Sequence, residues 1–261
     1  MHLELLTQEP EAPPRTTPLL FVHGAWHGAW CWAEHFLTYF AQHGYASHAL
    51  DLRGHGKSEG AKRLRWTSIA SYVADVEQVI RQLERPPVLI GHSMGGLIVQ
   101  KYLETHQVPA AILLASVPIG GTRRYLLRLA ARHPLVFLKV NTTLRLSPLV
   151  EKPHLTREAF FSADMSAEKV HTYFTRMQDE SYRASLDMMM LSLPRPKRVQ
   201  TPMLILGGEK DTIFQRKEVE DTARAYHTEA KLFPMAHDMM LEDGWQDVAD
   251  YILSWLGERN L

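Results

Sequence analysis

The segment VLIGHSMGGLIV, residues 88–99, places three glycines, a histidine and a serine between two apolar runs. The first run is typical of a buried strand, and the second continues as the apolar side of a helix. Between them, Gly91 to Gly95 fits the pattern G-x-S-x-G, with Ser93 at its centre. Such a turn lifts the serine hydroxyl clear of the sheet edge, and its glycines permit the close backbone approach that the turn requires. The alternative is a glycine-rich turn that carries its serine by chance, and the strand–turn–helix setting argues against it.

Strand-like and helix-like segments alternate along most of the chain. The pattern predicts strands at 18–24, 45–51, 87–90, 110–116, 202–208 and 230–234. It predicts helices at 32–44, 66–84, 95–106, 216–226 and 245–258. Continuous apolar strands separated by helices predict an α/β fold, in which helices cover both faces of a mostly parallel sheet. We expect about seven to eight strands in a sheet of this kind.

Residues 120–197 differ from the rest of the chain because they contain helical patterns and no convincing strand. We interpret this segment as a helical cap, inserted over the C-terminal edge of the sheet. Residues 1–119 and 198–261 would then form the core of the fold. A proline-rich stretch near the N-terminus is expected to form an exposed loop.

Composition excludes several classes of function. Twenty-nine basic and 29 acidic side chains give a formal net charge of zero, so nucleic acid is not an expected partner. Cys31 is the single cysteine, which rules out an internal disulfide or a multi-thiolate metal site, and no metal or cofactor motif is visible. The longest apolar run, 110–117, is too short for a membrane span, and the N-terminus lacks a signal-peptide pattern. We therefore expect a cytoplasmic protein without an integral membrane segment.

The motif at Ser93 and the order of the elements resemble the α/β-hydrolase family over nearly the whole chain. The resemblance implies a nucleophilic serine, an acid and a histidine, in that order along the sequence. Chemistry requires the same set, because a serine hydroxyl is a weak nucleophile until an imidazole takes its proton. The imidazole in turn needs an anionic partner that fixes its tautomer.

Two loops late in the chain offer the acid and the base. The segment LILGGEKDTIF, residues 204–214, places Asp211 just past a strand, and the family's G-x-x-D spacing selects Gly208 and Asp211. Glu209 in the same loop is the rival acid. His237 follows the last predicted strand and precedes the closing helix, which is the position that the family's base occupies.

An oxyanion hole needs two backbone N–H groups aimed at the developing negative charge. One follows the nucleophile, which here is Met94, and the family takes the other from the loop after an early strand. In the segment VHGAWHGAW the His23-Gly24 pair resembles the family's H-G signature, so Ala25 is the expected second donor. The ring of Trp26 is expected to wall the acyl pocket. His23 and His92 are interpreted as orienting and packing residues.

These features predict a serine hydrolase that cleaves carboxylic esters through an acyl-enzyme, without a cofactor. Methionines are frequent in the predicted cap and base loop, and Met189 and Met239 are candidates for the wall of an adaptable apolar pocket. We therefore expect esters of small to medium apolar acids. One alternative is a lyase, since HGAWHGAW resembles the loop of plant methylesterases and hydroxynitrile lyases; those lyases, however, carry a lysine where this chain has Asp238. The other alternative is a receptor that keeps the pocket without turnover.

Overall fold

A seven-stranded sheet forms the centre of the computed structural model, which describes residues 1–11 and 13–261. Ala12, in the proline-rich stretch expected to be a loop, lies outside the described residues. The strands are β1 (Leu5–Gln8), β2 (Leu19–Val22), β3 (Ser47–Leu50), β4 (Val88–His92), β5 (Ala111–Leu114), β6 (Met203–Gly208) and β7 (Ala230–Phe233). Their order across the sheet is β1-β3-β2-β4-β5-β6-β7.

The sheet is parallel except for β1, which pairs antiparallel with β3 at one edge. The predicted fold class is therefore confirmed. Strand β1 itself was not predicted, because none of its four residues is fully buried and they carry no clear apolar alternation. It is held at the edge by pairing that runs from Leu5 opposite Leu50 to Gln8 opposite Ser47.

Helices cover both faces of the sheet. Successive residues of a strand point to opposite faces, and every residue of β2, β4, β5 and β6 is buried. The helices are α1 (Trp30–Ala33), α2 (Phe36–Gln42), α3 (Ile69–Ile80), α4 (Met94–Tyr102), α5 (Arg123–Arg132), α6 (Pro134–Thr143), α7 (Pro153–Phe160), α8 (Ala167–Phe174), α9 (Tyr182–Leu186), α10 (Arg216–Ala225) and α11 (Trp245–Gly257).

Two predicted helices are shorter than their apolar patterns. The pattern at 32–44 belongs to two helices, α1 and α2. The pattern at 66–84 overlaps a 3₁₀ turn (Ala61–Trp66), and α3 begins only at Ile69, because the Ser68 side chain accepts a hydrogen bond from the Ser71 N–H at 3.2 Å. Among the described residues, no helix is long and apolar enough to cross a bilayer.

The long connection between β5 and β6 contains helices α5 to α9, turns and a π-helical turn (Asp187–Leu191), and its described residues contain no strand. We refer to residues 120–197 as the insertion. Its division from the rest of the chain as a separate cap stays a prediction.

The strand order fixes where a site can form. Strand β2 lies between β3 and β4, so the chain leaves β2 toward one side of the sheet and later returns to pair on its other side. In open parallel sheets, ligands bind outside the carboxyl ends of the strands at such a reversal. The loops that follow β2 and β4 meet at this point.

Candidate active site

Ser93 occupies the sharp turn between β4 and α4. Its backbone has φ 51° and ψ −115°, a conformation that side-chain-bearing residues rarely adopt. The Ser93 N–H donates to the carbonyl of Leu114 at 3.0 Å, which anchors the turn to the end of β5. Strain of this kind persists only where the surroundings impose it, and it is frequent at functional residues.

Glycines allow this turn to approach its neighbours. A Cβ atom on Gly95 would lie 2.2 Å from the Val22 carbonyl oxygen. A Cβ atom on Gly24, in the loop after β2, would lie 2.7 Å from His92 Nδ1 and 3.0 Å from the Cβ atom of Ser93. The loop that carries Ala25 therefore passes directly against the nucleophile turn.

Asp211 and His237 come together although 26 residues separate them in sequence. A Cβ atom on Gly208, at the end of β6, would lie 2.4 Å from the carbonyl oxygens of both Met235 and Ala236. The absence of a side chain there lets the loop after β7 approach the loop after β6. As a result, the His237 Nδ1 atom lies 2.8 Å from Asp211 Oδ2, and both side chains are fully buried.

The Asp211 carboxylate is held in place from its other side. Its Oδ1 atom accepts hydrogen bonds from the backbone N–H groups of Ile213 at 2.7 Å and Phe214 at 3.1 Å. With Asp211 accepting from Nδ1–H, the free lone pair of the imidazole lies on Nε2. This is the tautomer that can accept a proton from a serine.

The His237 Nε2 atom is buried and has no hydrogen-bond partner among the described residues. No hydrogen bond joins it to Ser93 Oγ in this structure. Phe214 connects the two regions, because it lines the cavity beside Ser93 and its ring centroid lies 5.5 Å from that of His237. In enzymes without substrate, the hydrogen bond between nucleophile and base is often long or poorly aligned.

A cavity of about 130 Å³ adjoins Ser93. Ala25, Trp26 and Phe214 form its wall on the side of the sheet. The insertion supplies most of the remaining wall, with the largely apolar set Leu126, Leu129, Phe137, Val140, Leu146, Leu149, Leu186, Met188 and Met189. The nucleophile turn, the loop after β2 and the insertion thus enclose one mainly apolar space.

The two residues expected to supply the oxyanion donors are neighbours of Ser93, one along the chain and one across the cavity. Met94 is the first residue of α4, and Ala25 lines the cavity together with Ser93. In the described part of the chain, neither backbone N–H donates to a protein acceptor. Trp26, next to Ala25, has φ 65°, and its indole N–H donates to the carbonyl of Leu146 in the insertion at 3.3 Å.

Of the three pocket residues predicted from sequence, Trp26 and Met189 line the cavity. Met239 does not line it: its side chain is fully buried in the core. The backbone explains this difference, since the Met239 N–H donates back to the His237 carbonyl at 2.9 Å and turns the side chain inward. Met188, beside Met189 on the π-helical turn, contributes to the wall instead.

His23 and His92 are both fully buried. The His92 Nε2–H donates to the carbonyl of His237 at 3.1 Å, while burial and the neighbouring His237 lower the pKa of His92 to about 3. His23 accepts from the Leu52 N–H at 3.2 Å, and burial followed by the neighbouring His55 lowers its pKa well below the ordinary value. Both rings are therefore neutral and hold backbone segments together.

Two further buried histidines were not singled out by the sequence. His27 Nε2 lies 2.9 Å from Asp238 Oδ2, and His55 Nε2 lies 3.0 Å from Glu180 Oε2. Burial opposes the charge of each ring, but the adjacent carboxylates outweigh it and raise the pKa of both histidines. The repeated HG in HGAWHG was a sequence signal that could have pointed to His27. No comparable signal marked His55, because its partner Glu180 lies 125 residues away in the chain.

The shifted pKa values of these four histidines predict how the stability of the fold depends on pH. His27 and His55, whose pKa is raised, stabilise the fold below the ordinary value of 6.5 and lose that contribution as pH rises through their folded pKa. His23 and His92, whose pKa is lowered, cost stability below 6.5, because the unfolded chain takes up protons that the folded chain excludes. We expect the melting temperature to peak near neutral pH and to fall on both sides.

Calorimetry between about pH 5 and pH 9 measures this profile. A loss of 1 kcal/mol lowers the melting temperature by about 2–4 °C in a chain of this size. A melting temperature that stays constant from neutral to alkaline pH would contradict the raised pKa of His27 and His55.

Comparison with known proteins identifies the family of the chain. A family model described as "Serine aminopeptidase, S33" matches residues 13–244. The chain belongs to this family. The match covers most of the chain and includes the positions of Ser93, Asp211 and His237.

Individual relatives agree with a hydrolase of the esterase and lipase type. A monoacylglycerol lipase of Mycolicibacterium smegmatis is 23% identical over 267 residues, which cover 95% of this chain and 90% of that protein. The protein phosphatase methylesterase 1 of Bos taurus is 34% identical over 104 residues, which cover 39% of this chain but only 27% of that protein. The crystal structure of the Paleococcus ferrophilus monoacylglycerol lipase superposes with a TM-score of 0.74 at 20% identity, covering 99% of this chain and 100% of the other.

The superposition shows the α/β-hydrolase fold, and the family match shows a hydrolase of the S33 family. The predicted fold and the predicted enzyme class, a hydrolase of the carboxylesterase type, are confirmed at this level.

Proposed function

We propose that this S33-family protein hydrolyses carboxylic esters of small to medium apolar acids, with Ser93 as nucleophile, His237 as base and Asp211 as the acid that orients it. The observation that carries the proposal is the cavity, in which Ser93 and Ala25 line the same space as apolar side chains of the insertion. An ester carbonyl at Ser93 would place its acyl chain among those side chains.

The reaction has two halves. In the first, His237 Nε2 takes the Ser93 proton as the oxygen attacks the carbonyl, and Asp211 stabilises the imidazolium. The N–H groups of Ala25 and Met94 donate to the oxyanion, and His237 then protonates the departing alcohol. In the second half, water attacks the acyl-enzyme with His237 again as base, which releases the acid and restores Ser93.

The preference for an apolar acyl group is supported by the chemistry of the wall and by the relatives. Apolar side chains outnumber the polar ones around the cavity. Similarity to a monoacylglycerol lipase points the same way, because an acylglycerol carries an alkyl acyl chain. The volume of about 130 Å³ favours a short chain over a long one.

A series of nitrophenyl esters from acetate to palmitate tests the proposal. We expect kcat/KM to rise by about fourfold for each methylene that enters the cavity, since each buried methylene contributes about 0.8 kcal/mol. Beyond octanoate we expect kcat/KM to fall. Leu126→Trp places a larger side chain in the cavity, so the acyl-chain length with the highest kcat/KM should shift toward acetate.

Leu127→Trp is the matched control. Leu127 directly follows Leu126 on helix α5, but its side chain is 72% exposed and lies outside the cavity. This variant should keep the wild-type optimum. A preference for charged or sugar-bearing acyl groups, or an identical shift in both variants, would contradict an acyl site at this wall.

The alternative functions give different results. Asp238 places a carboxylate paired with His27 where the hydroxynitrile lyases carry a lysine, which disfavours a lyase. Release of cyanide from cyanohydrins would nevertheless establish that reaction. A receptor without turnover would leave the nitrophenyl esters intact, whereas the proposed enzyme is labelled at Ser93 by a serine-reactive phosphonate and turns over those esters.

A further inference from the structure

The pair formed by His27 and Asp238 has no part in the reaction as written above. Both side chains are fully buried, and their closest atoms, His27 Nε2 and Asp238 Oδ2, lie 2.9 Å apart. The pair joins residues 211 positions apart in sequence. One belongs to the loop that carries Ala25, and the other directly follows His237.

The pair is charged. His27 Nδ1 lies 2.7 Å from the carbonyl oxygen of Ala25, and its Nε2 faces the Asp238 carboxylate, so each ring nitrogen meets an oxygen that only accepts. Burial alone would raise the pKa of the Asp238 carboxyl, but the neighbouring His27 outweighs it and keeps that pKa below its usual value. A buried imidazolium thus bonds a buried carboxylate.

On one side, the pair fixes the oxyanion loop. His27 Nδ1–H donates to Ala25 and closes a turn across Trp26, whose φ of 65° is unfavourable for a bulky residue. Because the turn depends on an acceptor at Ala25, this hydrogen bond sets the orientation of the backbone around the expected oxyanion donor.

On the other side, the pair fixes the base loop. The Asp238 N–H donates to the carbonyl of Phe160 at 3.0 Å, and the Asp238 carbonyl accepts from the Leu241 N–H at 2.7 Å. His92 Nε2 lies 3.5 Å from Asp238 Oδ1 and donates to the adjacent His237 carbonyl. The backbone of His237 is therefore tied to its neighbours on both faces.

We infer that the His27–Asp238 ion pair is a positioning element that sets the distance between the oxyanion donor on Ala25 and the base His237. This inference rests on the proposed function. It predicts that losing the pair changes the turnover step more than substrate binding, because the cavity wall contains neither residue while both reacting loops depend on them.

The single variants His27→Gln and Asp238→Asn test this. Each variant leaves one buried charged side chain without its partner. We expect kcat for nitrophenyl butanoate to fall by about 100-fold, which is the effect of misplacing a catalytic group by about 1 Å. We expect KM to change by less than about threefold. The double variant H27Q/D238N restores a neutral hydrogen bond between an amide N–H and an amide oxygen. We expect it to recover kcat to within about tenfold of the wild type.

His106→Gln is the matched control for the substitution. His106 lies beyond the C-terminal end of α4, and the nine residues of that helix, at 1.5 Å per residue, place its end about 13 Å from Ser93. It should keep kcat within about twofold. All rates are divided by the concentration of folded protein, measured by circular dichroism and thermal melting.

The outcomes are separable. If the single variants are folded and keep wild-type kcat, or if the double variant is no better than either single variant, the positioning role is wrong. If the uncorrected rate falls only in proportion to the folded fraction, so that kcat per folded molecule is unchanged, the pair is merely structural. If the wild type itself hydrolyses none of the esters, the proposed function fails, whatever the variants do.

Discussion

Replacing Ser93 by alanine is expected to lower kcat for ester hydrolysis by about 10⁶-fold. The variant removes the atom that would form the acyl-enzyme, so neither half of the reaction can proceed by that route. Residual hydrolysis should still exceed that in water, by about 10³-fold, because the oxyanion donors and the cavity remain. Steady-state kinetics with nitrophenyl butanoate, and loss of phosphonate labelling, measure the change.

Ser185→Ala is the control for this experiment. Ser185 lines the same cavity on the insertion and is not part of the proposed chemistry. We expect its kcat to stay within about tenfold of the wild type, with the main change in KM. Near-wild-type turnover in Ser93→Ala would remove Ser93 from the reaction.

Asp211→Asn is expected to lower kcat by about 10⁴-fold while leaving the fold intact. The asparagine oxygen can keep both backbone hydrogen bonds, from Ile213 and Phe214. Its amide group then faces His237 Nδ1 and donates to it, which moves the imidazole proton to Nε2. In that tautomer the base cannot accept the Ser93 proton.

Glu209→Gln provides the comparison, because Glu209 lies in the same loop and was the rival acid in the sequence. Its side chain is exposed and its carboxylate bonds Arg216 at 2.8 Å. A surface pair of this kind contributes about 0–1 kcal/mol, so turnover should be close to that of the wild type. A large loss in this variant together with an active Asp211→Asn would reverse the assignment.

The sequence predicted those parts of the molecule that depend on local pattern. The buried strands and the turn at Ser93 follow from apolar runs and glycine spacing, and the structure places them as expected. The approach of Asp211 to His237 followed from the resemblance and from their positions after β6 and β7. Glycine permits tight turns and close backbone approaches that other residues cannot make, so glycine spacing identifies such turns in a sequence.

Other features depend on contacts that no local pattern encodes. The pairing of His27 with Asp238 and of His55 with Glu180 joins segments more than 100 residues apart. Met239 shows the same limit, because a one-residue turn in the base loop decides whether a methionine reaches the cavity or the core. Strand β1 is defined by its neighbour β3 and not by its own side chains.

The hydrogen bonds of Trp26 join the loop that carries Ala25 to the insertion. Its indole N–H donates to Leu146, and its carbonyl accepts from the Gln178 N–H at 3.0 Å; both partners belong to the insertion. If the insertion lifts to admit an ester, these restraints on the left-handed residue beside Ala25 are lost. Under the proposed function, the turn that His27 closes would then have to hold the expected donor on Ala25 without help from the insertion.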